Sequence, residues 1–325
     1  MIPVRPSRVY VAYDLRAVKK SGFAMSNIIL LFLCMLIGIT LRRYGRVPDN
    51  AHAAINDFII NVSLPALTLL QIHGIKLQST LAYAVAMPWL LFTIAVLFFW
   101  SISRLLQFTP ATTGGLILVA GLGNTSFVGL PMIETFYGTN GMPIGILIDQ
   151  LGTYLVLSTL GIAVAALFSS GTPSRAGILK RICTFPPFIA LFASLLLLPV
   201  DYPDWLIAVL RRLGDTLAPL ALVSVGLQLR LDQLSGIKVP LSIGIAFKLL
   251  VGPALVMLVY VGLLRAAGDV VQITLFESAM GPMIGASIVA IQHGLNPPLI
   301  TLLVGLGITA SFLSLPIWWY VLQGV

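Results

Sequence analysis

The stretch that decides the fold reads Gly121-Leu122-Gly123-Asn124-Thr125-Ser126-Phe127-Val128-Gly129-Leu130-Pro131. It lies inside an apolar segment that extends from residue 111 to residue 137. A helix in lipid satisfies its own backbone hydrogen bonds, so Gly and Pro are tolerated at mid-span only where protein or water satisfies the freed groups. At about 1.5 Å per residue, Asn124 lies roughly 20 Å from the start of the segment, near mid-bilayer. The stretch therefore predicts a helix broken at the middle of a membrane.

The composition of the whole chain agrees with a bilayer as its solvent. Of the 325 residues, 58% are hydrophobic and only 9% are charged, and the mean hydropathy is +1.01. A soluble domain carries far more charge on its surface. The net charge of +8 does not indicate nucleic-acid binding, because the basic residues stand singly or in short clusters between apolar runs. We expect an all-α membrane protein whose partner is the lipid bilayer, with no nucleic acid.

Apolar segments of about the length that crosses a bilayer recur along the chain. A basic N-terminal tail, residues 1–25, precedes them, and Met25 is an alternative start to a native tail. The polar stretch 170–177 is predicted to be a cytoplasmic linker between two halves, 26–169 and 178–325. The ten segments are 26–43, 50–72, 80–103, 111–137, 143–169, 178–199, 204–229, 237–264, 269–292 and 298–322.

The two halves carry a weak internal repeat. The prolines of Leu64-Pro65-Ala66 and Ala218-Pro219-Leu220 lie 154 positions apart. Pro131-Met132-Ile133 recurs as Pro282-Met283-Ile284 at an offset of 151, and the polar turns after them lie 156 apart. Segments two and four thus match segments seven and nine, so the repeating unit is five helices. Because five is odd, the second copy enters from the opposite side, giving a 5+5 inverted repeat of ten transmembrane helices.

Basic residues in the loops predict the orientation. If the first helix starts outside, nine basic residues fall in cytoplasmic loops and at most four in outer loops, which favours both termini outside. The basic tail conflicts with this orientation, a further reason to question whether it is native. The cytoplasmic set is Arg42, Arg43, Arg46, Arg104, Arg175, Lys180, Arg181, Arg230 and Lys238, and the outer set is Lys76, Arg211, Arg212 and Arg265.

A second break is predicted in the ninth segment, which reads Glu277-Ser278-Ala279-Met280-Gly281-Pro282. Opened helices expose N–H groups at one half-helix end and carbonyl groups at the other. The N–H end attracts anions and the carbonyl end attracts cations. For any single proline a kink without a ligand is the alternative, but a matched pair of breaks predicts a site. Helix breaks are predicted at Pro65, Pro131, Pro219 and Pro282. The predicted substrate-binding residues are Asn61, Asn124, Thr125, Ser126, Gly129, Pro131, Met280, Gly281 and Pro282.

Three ionisable residues within the apolar segments are candidates for coupling or gating. Glu277, within about two turns of the second break, is interpreted as a proton carrier or part of a cation site. Lys248 lies about 15 Å deep and either balances a buried acid, attracts an anion or belongs to a fixed structural pair. Asp149 is either a relay or an interfacial residue. No metal site or cofactor is predicted, and coupling to H⁺ or Na⁺ stays open.

The chain resembles the auxin efflux carrier family, which includes plant PIN carriers and bacterial malate and malonate permease-like proteins. The likeness extends from about residue 26 to the end. It is carried by Leu64-Pro65-Ala66-Leu67, Gly123 to Pro131, Ala218-Pro219-Leu220-Ala221-Leu222 with Gly226, Lys248-Leu249-Leu250 with Pro253, and Glu277-Ser278-Ala279-Met280 with Pro282.

The resemblance implies a scaffold domain and a transport domain, with broken helices four and nine crossing at the substrate. It also implies elevator-like movement, a homodimer, and contact between Asn124 and a substrate carboxylate. Bile-acid symporters and sodium/proton antiporters share this general architecture. The chain departs from the family in lacking a long cytoplasmic loop, and in placing Gly281 between Met280 and Pro282 where the family often reads Ala-Met-Pro.

The sequence therefore predicts a secondary active carrier for a small organic anion in the cytoplasmic (inner) membrane. A cation/proton antiporter that uses Glu277 and Asp149 is the alternative, and a non-transporting membrane sensor is a third. An enzyme is not expected, because the sequence contains no HExxH motif, paired GxGD aspartates or Ser/His pair. The P-loop motif GxxxxGK[ST] is also missing, so ATP would have to act through a partner subunit.

Overall fold

The computed structural model describes residues 29–30, 33–73, 79–169, 184, 186–228 and 237–325. The predicted tail, 1–25, and the predicted linker, 170–177, lie outside these residues. Within the described ranges every secondary-structure element is a helix, and the only β-type pairing there is a single antiparallel bridge. The prediction of an all-α chain is confirmed for this part of the protein.

Helices occupy the described part of each apolar segment, and several of them contain wider π-helical turns. Segments one to five hold helices at 33–43, Ala51–Phe58, Ile59–Ser63, Leu64–Ile72, Leu81–Leu106, Pro110–Gly121, Thr125–Gly129, Leu130–Tyr137 and Thr139–Leu167. Segments six to ten hold helices at Pro186–Leu196, Asp204–Gly214, Leu217–Gln228, Lys238–Leu263, Asp269–Ser278, Ile284–Gln292 and Pro297–Leu322.

Five helices of the described chain are long and apolar enough to cross a membrane. They are Ala51–Leu70, Leu81–Leu106, Thr139–Leu167, Lys238–Leu263 and Pro297–Leu322. The fourth, seventh and ninth segments do not form single long helices, because each is divided into two shorter ones. Interrupted helices are tolerated at membrane depth only where protein or a cavity covers the freed backbone groups.

The two predicted breaks in the fourth and ninth segments are present. The first break, residues 122–124, begins where Leu122 adopts an extended conformation (φ −115°, ψ 135°). Asn124 then caps the next helix, its Oδ1 accepting a hydrogen bond from the backbone N–H of Phe127 at 3.1 Å. The second break, residues 279–283, includes Pro282, whose ring removes a backbone donor and so cannot continue a helix.

The helix does not break at Pro65. The backbone stays helical from the π-helical turns at Ile59–Ser63 into Leu64–Ile72, with Ser63 at φ −65° and Leu64 at φ −68°. The wider π-helical turns accommodate a proline that would clash with the i−4 carbonyl of a regular α-helix.

At Pro219 the interruption comes just before the proline, at residues 215–216. The proline then sits in the first turn of Leu217–Gln228, where its missing N–H leaves no helical bond unmade. The residues that precede the two prolines are in contact, because Ser63 Oγ and Thr216 Oγ1 are hydrogen-bonded at 2.7 Å. Segments two and seven, which the repeat relates to each other, therefore touch close to their prolines.

The interior around the breaks is closely packed. Phe92, Phe99 and Phe247 are almost completely buried, and the rings of Phe99 and Phe247 lie 4.8 Å apart between their centroids. Glycines allow helices to approach: a Cβ atom placed on Gly307 would lie 2.6 Å from the ring of Pro282. The tenth segment thus packs directly against the second break and fixes its position.

Candidate functional site

The two breaks are joined through their backbones. Gly123 and Pro282 form an antiparallel bridge. The backbone N–H of Asn124 donates to the carbonyl of Gly281 at 2.8 Å, and that of Met283 donates to Leu122 at 3.1 Å. Each break therefore satisfies backbone groups that the other one frees, which explains how both persist away from water.

Asn124 has a buried side chain with an unused donor. The side chain is 1% exposed, and its Oδ1 is occupied by the cap to Phe127. Its Nδ2 has no hydrogen-bond partner among the residues that the structure describes. A buried amide donor without a partner costs free energy, so this atom is positioned to bind an acceptor that the described residues do not supply.

The next two residues bind a buried carboxylate. Thr125 Oγ1 and Ser126 Oγ both donate to Oδ1 of Asp149, at 2.6 Å and 2.5 Å. Asp149 is 2% exposed, so the structure places it in the interior and not at the membrane interface. Because it comes from the fifth segment, it ties that helix to the start of the second half of the fourth.

Glu277 and Lys248 are both completely buried beside the breaks. The Lys248 Nζ donates to the carbonyl of Ser278 at 2.9 Å, at the end of the helix that leads into the second break. Glu277 interacts electrostatically with Lys248 and Asp149. Its two carboxylate oxygens accept no hydrogen bond from any described residue. The structure thus brings together the three ionisable residues that the sequence singled out.

Glycines provide the space that the side chains of Glu277 and Lys248 occupy. A Cβ atom on Gly129 would lie 2.5 Å from Oε1 of Glu277, so the carboxylate rests directly on this glycine. A Cβ atom on Gly123 would lie 3.4 Å from the Lys248 Nζ. Gly129 therefore contributes space for the Glu277 carboxylate, whereas the sequence had assigned it to substrate binding.

A cavity of about 150 Å³ opens next to Asn124. Its polar lining comes from Asn124, Thr125, Ser126 and Asp149, with the side chain of Tyr154 beside them. The remaining walls are largely apolar, which is typical of a small-ligand site with few polar groups that fix orientation. These other lining residues are Ile60, Leu64, Phe127, Leu157, Met283, Ile284 and Gly285.

Several predicted site residues lie elsewhere. Asn61 has an exposed side chain that donates back to the carbonyl of Asp57 at 2.7 Å, so it turns away from the cavity. Pro131 lines a different cavity of about 530 Å³, together with Glu134 and Arg211.

The residues of the second break are packed against protein. Met280 is completely buried. A Cβ atom on Gly281 would meet Ile308 and Ser311 of the tenth segment. Met283, Ile284 and Gly285, one turn further along, line the cavity in their place.

The sequence reasoning missed a buried polar contact next to Asp149. Gln150 is completely buried and its Nε2 donates to Thr68 Oγ1 at 2.8 Å, which connects the fifth segment to the second. The adjacent polar pair Asp149-Gln150 inside an apolar segment was a signal that could have found it. Leu157 and Gly285 line the cavity because of how the helices pack, and no local sequence pattern predicts their contribution.

Comparison with known proteins identifies the family. A family model described as a membrane transport protein matches residues 23–171 and 173–319. The chain belongs to this family, the auxin efflux carriers. An uncharacterized transporter of Methanothermobacter thermautotrophicus is 26% identical over 303 residues, covering 91% of this chain and 97% of the relative. One of Methanocaldococcus jannaschii is 25% identical over 307 residues, covering 92% and 98%.

As a member of the auxin efflux carrier family, the protein is a membrane transport protein, and the resemblance seen in the sequence is confirmed. The matched ranges include both breaks and the buried cluster of Asp149, Lys248 and Glu277. This buried ionisable cluster therefore lies inside the part of the chain that matches the family.

Proposed function

We propose that this protein is a secondary active carrier for a small organic anion such as a carboxylate. The observation that carries the proposal is the Nδ2 donor of Asn124, which has no partner in the described part of the chain and is buried at the junction of the two breaks beside a small cavity. The hydroxyl groups of Thr125 and Ser126, which donate to Asp149, line the same cavity. An amide donor and hydroxyl groups that can reorient suit the oxygen atoms of a carboxylate.

The proposed architecture is a 5+5 inverted repeat of ten transmembrane helices, with helices four and nine crossing at the site. Contacts between repeat-related segments support it, because segments two and seven meet at Ser63 and Thr216, and segments four and nine meet at Gly123 and Pro282. Transporters built from inverted repeats place their sites at discontinuous helices near the midplane. Transport is proposed to follow an elevator-type alternating-access mechanism in a homodimer.

The proposed location is the cytoplasmic (inner) membrane, with both termini outside. The excess of basic residues in the loops assigned to the cytoplasm supports this orientation.

The buried ionisable groups are proposed to couple transport to a cation. Glu277 interacts electrostatically with both Asp149 and Lys248, and Lys248 bonds the end of the helix that leads into the second break. Ionisable groups inside a membrane protein are costly and usually belong to a pathway for substrate or protons. In this proposal Asn124, Thr125 and Ser126 bind the anion, and the ionisable cluster carries H⁺ or Na⁺.

A cation/proton antiporter is the second candidate. It is favoured by one observation, that the charged group lining the cavity is the carboxylate of Asp149, which attracts cations. In this alternative Asp149 and Glu277 bind the transported ions. The first candidate moves a carboxylate together with a cation, and the second exchanges a cation for protons, so a flux measurement separates them.

The test is flux into proteoliposomes that contain the purified protein. Labelled acetate, propionate, lactate and malonate are offered across pH, with and without Na⁺. We expect saturable uptake of at least one carboxylate, reduced about tenfold or more in Asn124→Ala. The matched control is Asn50→Ala, because the exposed Asn50 side chain forms no cap hydrogen bond. Carboxylate uptake that survives Asn124→Ala unchanged would contradict the assigned site, and Na⁺-driven proton efflux without carboxylate uptake would favour the antiporter.

A further inference from the structure

The charges buried around the two breaks do not cancel. The described cluster contains one ammonium group, Lys248, and two carboxyl groups, Asp149 and Glu277, and each residue is at most 2% exposed. An uncompensated charge in a buried site is strongly unfavourable. With Lys248 charged and no anion bound, the cluster is neutral only if one of the two carboxyl groups holds a proton.

The hydrogen bonds indicate which carboxyl group that is. Asp149 accepts from two hydroxyl groups, those of Thr125 and Ser126, as an ionised carboxylate does. Glu277 accepts from no described residue, which suits the uncharged form. In the absence of a bound anion the resident proton is therefore assigned to Glu277, while Asp149 is ionised and its charge and that of Lys248 cancel within the cluster.

An anion that enters the cavity meets the ionised Asp149. Both would share one small cavity, because Asp149, Asn124, Thr125 and Ser126 all line it. Two carboxylates that share a small buried cavity cannot both stay ionised. Adding one anion to a neutral cluster also creates one uncompensated charge, which one additional proton removes.

We propose that Asp149 takes up one proton for each anion bound, so that this residue is the group through which transport is coupled to protons. The inference rests on the proposed function, since it requires that the cavity binds an anion. The protonated Asp149 becomes a donor toward the anion. The hydroxyl groups of Thr125 and Ser126, released from an ionised acceptor, can turn to it as well. Together with Nδ2 of Asn124 the anion would then have up to four donors.

The surroundings favour a proton over a metal cation at Asp149. A metal ion needs several oxygen ligands, but Oδ1 of Asn124 is occupied by the cap to Phe127. The lining contributed by the second and ninth segments is Ile60, Leu64, Met283, Ile284 and Gly285, which carries no polar side chain. The titratable groups around Asp149 are Glu277 of the ninth segment, which also interacts electrostatically with Lys248 of the eighth, and Tyr154 on its own segment.

Counting protons on binding tests the proposal. Isothermal titration calorimetry of the purified full chain, in buffers of different ionisation enthalpy, is performed with acetate, propionate, lactate and malonate between about pH 5.5 and pH 8. We expect the wild-type protein to take up one proton for each carboxylate bound, with an affinity that falls about tenfold per pH unit at the alkaline end. Asp149→Asn should bind with no proton uptake and a flat pH dependence.

Two further variants keep the outcome informative. Glu277→Gln should still take up one proton, because its own proton is resident, so a loss of uptake there would overturn the assignment to Asp149. Asp57→Asn, an exposed carboxylate on the second segment, should behave as wild type. Carboxylate binding without proton uptake in the wild type, or binding that depends on Na⁺ alone, overturns this inference and leaves the proposed function standing. Failure to bind any of these carboxylates at any pH overturns both.

Discussion

The carboxylate of Glu277 rests on the Cα atom of Gly129, so closely that a single methyl group at position 129 would lie 2.5 Å from Oε1 and 2.6 Å from Oε2. Glu277 belongs to the helix that leads into the second break, and Gly129 ends the π-helical turn that follows the first. The two halves of the site are therefore held together by an acidic side chain in contact with a glycine as well as by the backbone bridge.

Gly129→Ala should disrupt this contact. The added methyl group forces the Glu277 carboxylate or the fourth segment to move, and overpacking of this kind costs about 1–3 kcal/mol. We expect a lower unfolding temperature in detergent and a loss of transport in proteoliposomes. Shortening the acid in the double variant Gly129→Ala/Glu277→Asp should recover part of the lost stability. Gly324→Ala is the matched control, since a Cβ atom there meets nothing within 4 Å. Equal stability of Gly129→Ala and wild type would contradict the packing described here.

Lys248→Met should be strongly destabilising for a different reason. It removes the only buried ammonium group of the described cluster, which leaves a net negative charge there, and it leaves the Ser278 carbonyl without its donor. Removing one partner from a buried charge cluster costs about 3–5 kcal/mol. Lys238→Met is the control, because Lys238 is exposed at the start of the same segment.

Second-site changes distinguish which acid Lys248 balances. Lys248→Met/Asp149→Asn restores a neutral cluster, so it should be more stable than Lys248→Met alone. Lys248→Met/Glu277→Gln should not recover, because the resident proton already makes Glu277 uncharged. Chemical denaturation of the three variants in detergent measures the differences. Rescue by Glu277→Gln and not by Asp149→Asn would reverse the assignment of charges.

Asn296 joins the tenth helix to the fourth segment. Its Nδ2 donates to Thr112 Oγ1 at 2.8 Å, which joins the start of the tenth helix to the first half of the fourth. Its Oδ1 caps the tenth helix at Leu299, and its φ of 50° lies in a region that Asn adopts more readily than Ala. Asn296→Ala should therefore lower the free energy of unfolding by about 1–2 kcal/mol, as measured by denaturation in detergent. Asn50→Ala, which removes no cap hydrogen bond, should have an effect several times smaller, and equal effects would argue against this bond.

The breaks were predictable from the sequence because Gly and Pro act locally. The run from Gly121 to Pro131 weakens a helix whatever surrounds it, and Pro282 removes a donor wherever it lies. Pro65 shows the limit of this reasoning. There the chain widens into π-helical turns, and Ser63 finds a partner in Thr216, 153 positions away. Whether a helix ends at a proline or continues through it thus depends on contacts with distant segments, which the local sequence does not reveal.

The chemistry of the site was predictable in its residue types and not in its pairings. A buried acid, a deep lysine and polar residues at a break stand out in an apolar sequence. That Asp149 would bind Thr125 and Ser126, and that Asn61 would turn outward, depends on the rotation of each helix about its axis. Shifting a helix by one residue turns its side chains by about 100° about the axis. Segment boundaries inferred from hydropathy are uncertain by more than one residue, so they do not determine which way a side chain points.

Two glycines outside the site test the packing of the first segment against the seventh. A Cβ atom on Gly38 would collide with the carbonyl oxygen of Val223, and one on Gly226 would collide with that of Met35. The obstacles are backbone atoms, which cannot rotate away, so the helices must separate to admit a methyl group. Small residues allow such close approach between helices in membranes.

Gly38→Ala and Gly226→Ala are each expected to lower the free energy of unfolding by about 1–3 kcal/mol, measured by denaturation in detergent. Their effects should be less than additive, because either methyl group already separates the same two helices. Gly262→Ala serves as the control. It lies on an exposed helix position where the added atom meets only the flexible end of Leu258, and alanine gains about 1 kcal/mol of helix propensity over glycine. If all three variants were equally stable, the first segment would not pack on the seventh in the way the structure shows.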